Sequence, residues 1–141
     1  MNNTKTDYTV IGRVRNFENI SRLVEGIESK GFSCYKFLAK PANPDNPNLP
    51  WEEQMRILES HTDFWNDPVH KDHFETDMAG LKNADKVVML LPAGMATHME
   101  AGVAYGLNKK LILIGEVEKP ETLYLIFDEH YPDIESFLET I

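Results

Sequence analysis

The stretch from Asp85 to Lys110 places the strongest limits on the fold of this chain. It opens with the continuous apolar run Val87–Leu91, which predicts a buried β-strand. A Pro-Ala-Gly turn follows, and a helix rich in small residues is predicted over Thr97–Leu107. Glu100 falls in the first turn of that predicted helix, just past the carboxyl end of the strand. Open α/β sheets bind their ligands at this edge, so Glu100 is the first candidate for a functional residue.

The N-terminal part of the chain predicts a strand–helix–strand unit. A short β-rich run, Tyr8–Arg13, comes first, and Phe32–Leu38 is predicted to be a second strand. Between them, apolar residues recur at helical spacing over Phe17–Ile27, and Lys30 and Gly31 supply a C-terminal stop. Such a unit implies two parallel strands joined by a right-handed crossover.

The remainder of the chain continues the alternation of strands and helices. Residues 40–50 hold four prolines and three asparagines, which favours a lid or surface loop because proline lacks an amide donor. Apolar spacing then predicts two helices, a strand, a final apolar run and a short C-terminal helix, in this order: Trp51–His61, His70–Asn83, Leu111–Gly115, Leu123–Phe127 and Pro132–Ile141.

This pattern predicts an α/β fold, namely a doubly wound, flavodoxin-like parallel sheet of four or five strands with helices on both faces. The length of 141 residues fits a single domain, 1–141. We expect the strand order 2-1-3-4-5. That order brings the loops after the first and third strands, Gly12–Asn16 and Pro92–Ala96, side by side at the switch point of the sheet.

The net charge and the cysteine content of the chain limit which binding partners and which cellular compartment we expect. A formal net charge of −9 and a pI near 4.9 argue against nucleic-acid binding, which needs clustered lysine and arginine, but leave room for a small anionic ligand. The single cysteine, Cys34, permits no internal disulfide and favours a reducing cytoplasm. Met1–Asp7 has no apolar signal-peptide core and no stretch is long enough for a membrane span, so we expect a cytoplasmic protein.

Two acidic residues are candidates for chemistry, and each also has a structural interpretation. Thr97 and Glu100 fit a capping box, in which Thr97 is the N-cap and the Glu100 carboxylate holds a backbone amide. The small residues that follow Glu100 would instead let a ligand approach closely. Asp77, in the helix that leads into the third strand, is either a site residue or a solvated surface acid. Asp85 is interpreted as a turn residue before the strand.

Other polar and aromatic residues give weaker signals. Arg13 and Arg15 follow the first strand, where an anion can bind, but no dinucleotide or P-loop motif accompanies them. They are alternatively surface residues paired with acids such as Glu18. The acids and histidines within residues 61–73 match no standard zinc spacing, so we predict no metal site. Four aromatic residues either pack in the core or stack on a planar base: Trp51, Phe64, Trp65 and Phe74.

The segment from Asp77 to Gly115 resembles the nucleoside 2-deoxyribosyltransferase family. The likeness lies in an acid-bearing helix, a buried strand and a Glu-x-Gly-x-Ala helix leading to a lysine and another strand, and it is topological over the rest of the chain. The resemblance implies breakage of an N-glycosidic bond without a cofactor. Glu100 would be the nucleophile and Asp77 the acid that contacts the base. Tyr8 or Gly12 would lie beside the sugar.

Two departures from the family pattern concern the substrate. Family transferases present a further acid shortly before the nucleophile, whereas no acid lies between Asp85 and Glu100 here. Related nucleotide N-glycosidases bind a 5′-phosphate with a Gly-x-x-Arg loop and a serine before the nucleophile. The residues from Gly12 to Arg15 resemble that loop, although Arg13 stands where those enzymes have a serine next to the glycine. The serine before the nucleophile is also missing, and Thr97 is the nearest hydroxyl. The resemblance thus implies that a small-molecule nucleoside or nucleotide is bound by Gly12, Arg13, Arg15, Gly94 and Thr97.

The resemblance also implies a homodimer or larger assembly, since family members complete their sites with residues of a neighbouring subunit. Leu123–Phe127 and Asp128 are the candidates for this contribution. A fold alone does not determine an activity, so two alternatives stay open. One is a non-catalytic sensor that binds a nucleotide with Glu100 on its ribose, and the other is an interaction protein with an inert pocket.

Overall fold

The computed structural model describes residues 4–141, and their backbone builds a five-stranded parallel sheet. The first three residues of Met1–Asp7, the segment expected to lack a signal-peptide core, lie outside the described residues. The strand order is β2-β1-β3-β4-β5, and every neighbouring pair is parallel, which confirms the predicted topology. The strands are β1 (Thr6–Ile11), β2 (Cys34–Tyr35), β3 (Ala84–Leu90), β4 (Lys110–Ile114) and β5 (Glu129–Tyr131).

Helices cover both faces of the sheet, as predicted. α1 (Phe17–Ser29) and α5 (Ile134–Leu138) pack on one face, whereas α3 (Pro68–Asn83) and α4 (Met95–Gly106) pack on the other. α2 (Trp51–Glu59) contacts the turn that follows β1. Along residues 4–141, no helix combines the length and the apolar character needed to cross a membrane.

The residues of β1 alternate between two buried cores. Tyr8 and Val10 face the core beneath α1 and α5, while Ile11 faces the core beneath α3 and α4. Thr9 lies between Tyr8 and Val10 along the strand, so its side chain points to the α3–α4 face. β1, which lies next to the central strand β3, therefore points the polar side chain of Thr9 to the face on which α4 carries Glu100.

Two predicted boundaries are wrong. The second strand ends at Tyr35 because the chain then enters a 3₁₀ turn, Phe37–Ala39, which leads into the loop of residues 40–50. Asp85 is not a turn residue, because α3 passes directly into β3 and the buried Ala84 begins the strand. Asp85 is an exposed residue of β3.

The apolar run Leu123–Phe127 forms most of a 3₁₀ helix, Thr122–Ile126, between β4 and β5. Its Leu123 and Leu125 side chains are 79% and 84% exposed, so the run is not a core strand. The carboxylate of Asp128 accepts the backbone N–H of Leu111 at 2.9 Å. Asp128 is therefore engaged within its own chain, at the start of β4.

The proline-rich loop of residues 40–50 is held as a wall beside α2. The buried Gln54 side chain accepts the backbone N–H of Asn43 at 2.7 Å and donates to the carbonyls of Asn46 (2.7 Å) and Leu49 (3.3 Å). One side-chain amide thus satisfies three backbone groups of a segment that forms neither a helix nor a strand. His73 on α3 donates from Nε2 to the carbonyl of Ala42 at 2.8 Å and fastens the other side of the loop.

Candidate active site

A cavity of about 560 Å³ opens at the carboxyl end of β1. Its floor is formed by β1, the turn after it and Tyr35 of β2, and its walls come from α2, α3 and the first turns of α4. The volume lies within the range of about 300–1,000 Å³ that small-molecule sites occupy. The strand order reverses between β1 and β3, so the cavity lies at the position predicted for a ligand in such a sheet.

Glu100 lines this cavity from the second turn of α4. The helix begins at Met95 and its N-cap is Gly94, which makes no side-chain cap bond, so Thr97 already lies inside the helix. The capping-box interpretation of Thr97 and Glu100 is therefore wrong. Burial, and after it the charge of Asp77, raises the pKa of Glu100 from 4.5 to about 8. The protonated form of Glu100 is accordingly favoured up to a higher pH than in an ordinary glutamate.

Asp77 lines the opposite wall of the cavity from α3, and its exposed surface faces the cavity. Desolvation raises the pKa of its carboxyl group, while the nearby charges of His73 and Lys40 partly offset that rise. Tyr35 also lines the cavity. Burial, and after it the charge of Asp77, raises the pKa of its phenol. A Cβ on Gly80 would stand only 2.9 Å from Tyr35 Cε1, so the glycine allows the ring to lie directly under α3.

The two acids have no direct partner among residues 4–141. Within residues 4–141, neither the Glu100 nor the Asp77 carboxyl group forms a hydrogen bond or an ion pair. The nearby cation Lys40 is engaged with Asp72 and also donates to Thr76 Oγ1 at 2.8 Å. Both carboxyl groups are therefore available to a ligand in the cavity.

The loops after β1 and β3 meet at the mouth of the cavity, as the strand order predicts. A Cβ on Gly94 would lie 4.0 Å from Arg13 Cγ, so the arginine stem runs alongside Gly94. The exposed Arg13 forms no ion pair with any described residue. Arg15 instead pairs with Glu59 of α2 at 3.5 Å on the surface, rather than with the predicted Glu18. Arg13 is thus the cation best placed for an anion entering the cavity.

Of the two residues expected to contact the sugar, Gly12 and Tyr8, Gly12 lines the cavity and Tyr8 does not. Gly12 lines the cavity, and a side chain there would press on Ile20, because its Cβ would stand 3.0 Å from Ile20 Cδ1. Tyr8 does not reach the cavity: it is 1% exposed on the α1–α5 face and packs edge-on against Phe32 and Phe137. A contact between Tyr8 and a sugar is incompatible with this position, since the pleat of β1 turns the ring to the opposite face.

Comparisons with known proteins bear on this architecture. No protein-family model matches the sequence, and no curated protein matches it. Among solved structures, a 2-deoxyribosyltransferase from the psychrotolerant bacterium Bacillus psychrosaccharolyticus superposes with a TM-score of 0.65 at 12% identity, covering 93% of this chain and 89% of that one. The CMP N-glycosidase BcmB of Clostridium botulinum superposes with a TM-score of 0.52 at 18% identity, covering 94% and 96%. This chain has the 2-deoxyribosyltransferase fold.

In this 2-deoxyribosyltransferase fold, the histidines and acids of residues 61–73 support structure. His61 Nδ1 lies 2.6 Å from the Asp67 carboxylate, which also caps α3 by accepting the N–H of Val69. His70 donates to the carbonyl of Leu58 at 3.3 Å. Among residues 4–141, no group of three histidine, cysteine or acidic side chains is arranged to hold a metal ion.

The aromatic residues divide between the cavity and the surface. Trp51, Phe64 and Phe74 line the cavity, whereas Trp65 is 82% exposed and only touches Phe64 edge-on. Sequence reasoning missed several polar residues that the 2-deoxyribosyltransferase fold brings to the cavity: Thr9, Tyr35, Lys40 and His73. No local motif marks them, because each reaches the site through strand pairing or through the packing of α3.

Proposed function

We propose that this protein cleaves or transfers the N-glycosidic bond of a nucleoside or nucleoside 5′-monophosphate, with Glu100 as nucleophile and Asp77 assisting the departing base. The observation that carries the proposal is the convergence of these two unpaired carboxyl groups, from different helices, in one cavity. The activities for which the two structural neighbours are named, those of a 2-deoxyribosyltransferase and a CMP N-glycosidase, support the same class of reaction.

The proposed reaction uses the two carboxyl groups as a coupled pair. The charge of Asp77 raises the pKa of Glu100 after burial does, so the two groups resist being ionised together and hold one proton between them near neutral pH. With that proton on Asp77, ionised Glu100 attacks the anomeric carbon and the bond from that carbon to the base nitrogen breaks. The bonding electrons go to the base, which takes the proton from Asp77.

The second half of the reaction restores Glu100. Attack on the anomeric carbon by water releases the free sugar, and attack by a second base forms a new nucleoside. In both cases the ester bond to Glu100 breaks and the attacking group gives up a proton to the pair. No cofactor is needed, because each step is a displacement at carbon with a proton transfer.

Arg13 supports a 5′-monophosphate as substrate. It lies at the mouth of the cavity beside Gly94, without an ion pair among the described residues, at the start of the turn that leads into α1. A guanidinium group binds phosphate through two parallel hydrogen bonds. The CMP N-glycosidase neighbour is named for a 5′-monophosphate substrate, which agrees with this assignment.

The outer face of α4 supports assembly into a homodimer. Met95, Met99 and Val103 follow one another at helical spacing and are 83%, 67% and 38% exposed. This strip carries no charge and Met95 also lines the cavity, so a second copy on it would sit next to the site. Light scattering should report a dimer, and Met99→Glu should shift it to the monomer. If the wild-type protein is a monomer, the proposed homodimer is wrong.

Base release from a panel of nucleosides and 5′-monophosphates, with and without a second base, tests the function. Wild type should release or exchange base, and Glu100→Gln should lower that rate about a thousandfold or more while still binding. Glu75→Gln, an exposed acid on α3 outside the cavity, is the matched control. A protein that is stabilised by nucleotides but releases no base would instead be a sensor.

A further inference from the structure

Two threonine hydroxyls are left unused in the cavity. Thr9 and Thr97 are 2% and 4% exposed, and both line the cavity. Within residues 4–141, neither hydroxyl forms a hydrogen bond. In the described part of the chain, the fully buried side-chain polar atoms without a partner are Thr6 Oγ1 and Asn16 Nδ2, so the Thr9 and Thr97 hydroxyls each keep some accessible surface. Buried hydroxyls are normally hydrogen-bonded, which indicates that these two serve a ligand.

Both threonines line the same cavity as Glu100. Thr97 precedes Glu100 by three residues on α4, which places their Cβ atoms about 5–6 Å apart on one side of the helix. Thr9 projects from β1 toward the α3–α4 face, and its Cα partners across the sheet are Tyr35 and Val87. One hydroxyl therefore comes from the helix that holds the nucleophile and the other from the strand beneath it.

We propose that Thr9 and Thr97 bind the 2′-hydroxyl of the sugar, so that the site prefers ribonucleosides or ribonucleotides to their 2′-deoxy counterparts. This inference rests on the proposed function, since Glu100 must reach the anomeric carbon. The hydroxyl nearest to that carbon is the one on its neighbour, C2′. Threonine can both donate to and accept from this hydroxyl, and it adds no negative charge beside Asp77 and Glu100.

A bound 2′-deoxy substrate lacks this hydroxyl and would therefore leave both threonine hydroxyls without a hydrogen-bond partner. A site whose buried polar groups are built to pair with a substrate hydroxyl discriminates strongly against the analogue that lacks it. No acid lies between Asp85 and Glu100, so hydroxyls are the groups that this segment offers to the sugar. We expect a preference for the ribo substrate of at least about tenfold in kcat/KM.

The test compares ribo and 2′-deoxy substrates with the same base. Thr97→Val and Thr9→Val should each lower the ribo/deoxy ratio of kcat/KM by about three- to tenfold, whereas Thr9→Ser should retain it. Thr76→Val is the matched control, because Thr76 also lines the cavity but its hydroxyl already bonds Lys40 and the carbonyl of Asp72. That control should leave the ratio unchanged. A wild-type ratio near or below one, or equal losses on both substrates, would overturn the proposal.

A binding measurement separates this inference from the proposed function. Calorimetry with ribose 5-phosphate and 2-deoxyribose 5-phosphate needs no turnover, and we expect tighter binding of ribose 5-phosphate that weakens in Thr97→Val. If base release depends on Glu100 but the two sugars behave alike, only the assignment of Thr9 and Thr97 fails. If ribose 5-phosphate is preferred but no base is released, only the catalytic role fails. Equal affinities, or no binding of either sugar, would refute the sugar assignment.

Discussion

After burial, the charge of Asp77 on α3 is the second cause that raises the pKa of Glu100 on α4 to about 8. The two residues are separated along the chain by the whole of β3, yet the charge of one affects the ionisation of the other. Within the described residues, neither carboxyl group forms a hydrogen bond or an ion pair, although the nearby charges of His73 and Lys40 lower the pKa of Asp77 to some extent. The proposed mechanism uses this effect, because it needs one proton shared between the two acids at neutral pH.

The pH dependence of catalysis follows from that shared proton. If Asp77 protonates the departing base while Glu100 is ionised, kcat/KM should fall above pH about 8, about tenfold per pH unit, as the pair loses its proton. Asp77→Asn should lower the maximal rate about a hundredfold or more and remove this falling limb. Initial rates of base release between pH 5 and 10 provide the measurement. A wild-type rate that rises through pH 8 would show that Asp77 is not the acid.

The stability of the fold should depend on Glu100 in the same pH range. Its folded pKa lies above its unfolded value of 4.5, so the stability that its protonated form provides is lost as pH rises toward 8. Glu100→Gln keeps the shape and cannot ionise. The variant should match wild type below pH 4.5 and melt several degrees higher at pH 9, as measured by thermal denaturation. A lower melting temperature at pH 9 would mean that the Glu100 carboxylate is stabilised in the folded protein.

Gln54 should be worth far more to stability than an exposed ion pair on the same helix. Gln54→Met keeps the volume but leaves backbone groups of the 40–50 loop without partners, which costs about 1–3 kcal/mol. Glu53→Gln removes only the surface ion pair with Arg56, which solvent screens, so it should cost far less stability. Urea denaturation of both variants tests the comparison. Equal losses would show that the loop does not depend on the Gln54 amide.

The sheet topology was predictable because the buried strands carry their own signal. A continuous apolar run such as Val87–Leu91 indicates a strand that is buried on both faces of the sheet. Segments with helical spacing between such strands imply crossover helices and therefore parallel strands. Glu100 was found from the same local pattern, a strand, a turn and a helix. The alternative interpretation of Glu100 as part of a capping box is wrong for a local reason as well. Gly94 is the N-cap of α4, so Thr97, which was expected to be the cap, lies within the helix.

The floor of the cavity could not be predicted from local patterns. Thr9 and Tyr35 become neighbours through the register of β1 and β2, a pairing between strands separated by the whole of α1. Tyr8 illustrates the same limit, because a shift of one residue along a strand moves a side chain to the other face. Thr9, rather than Tyr8, is the residue of β1 that lines the cavity.

The packing of Gly80 over Tyr35 gives a last prediction with a built-in control. In Gly80→Ala, the new Cβ would stand 2.9 Å from Tyr35 Cε1, so the ring must move. We expect this overpacking to cost about 1–3 kcal/mol, against a helix-propensity gain of at most about 1 kcal/mol. Gly102→Ala on α4 meets nothing within 4 Å and should only gain stability. Denaturation and base-release rates of both variants test this. A Gly80→Ala protein as stable and active as wild type would show that Tyr35 is free to move without affecting the site.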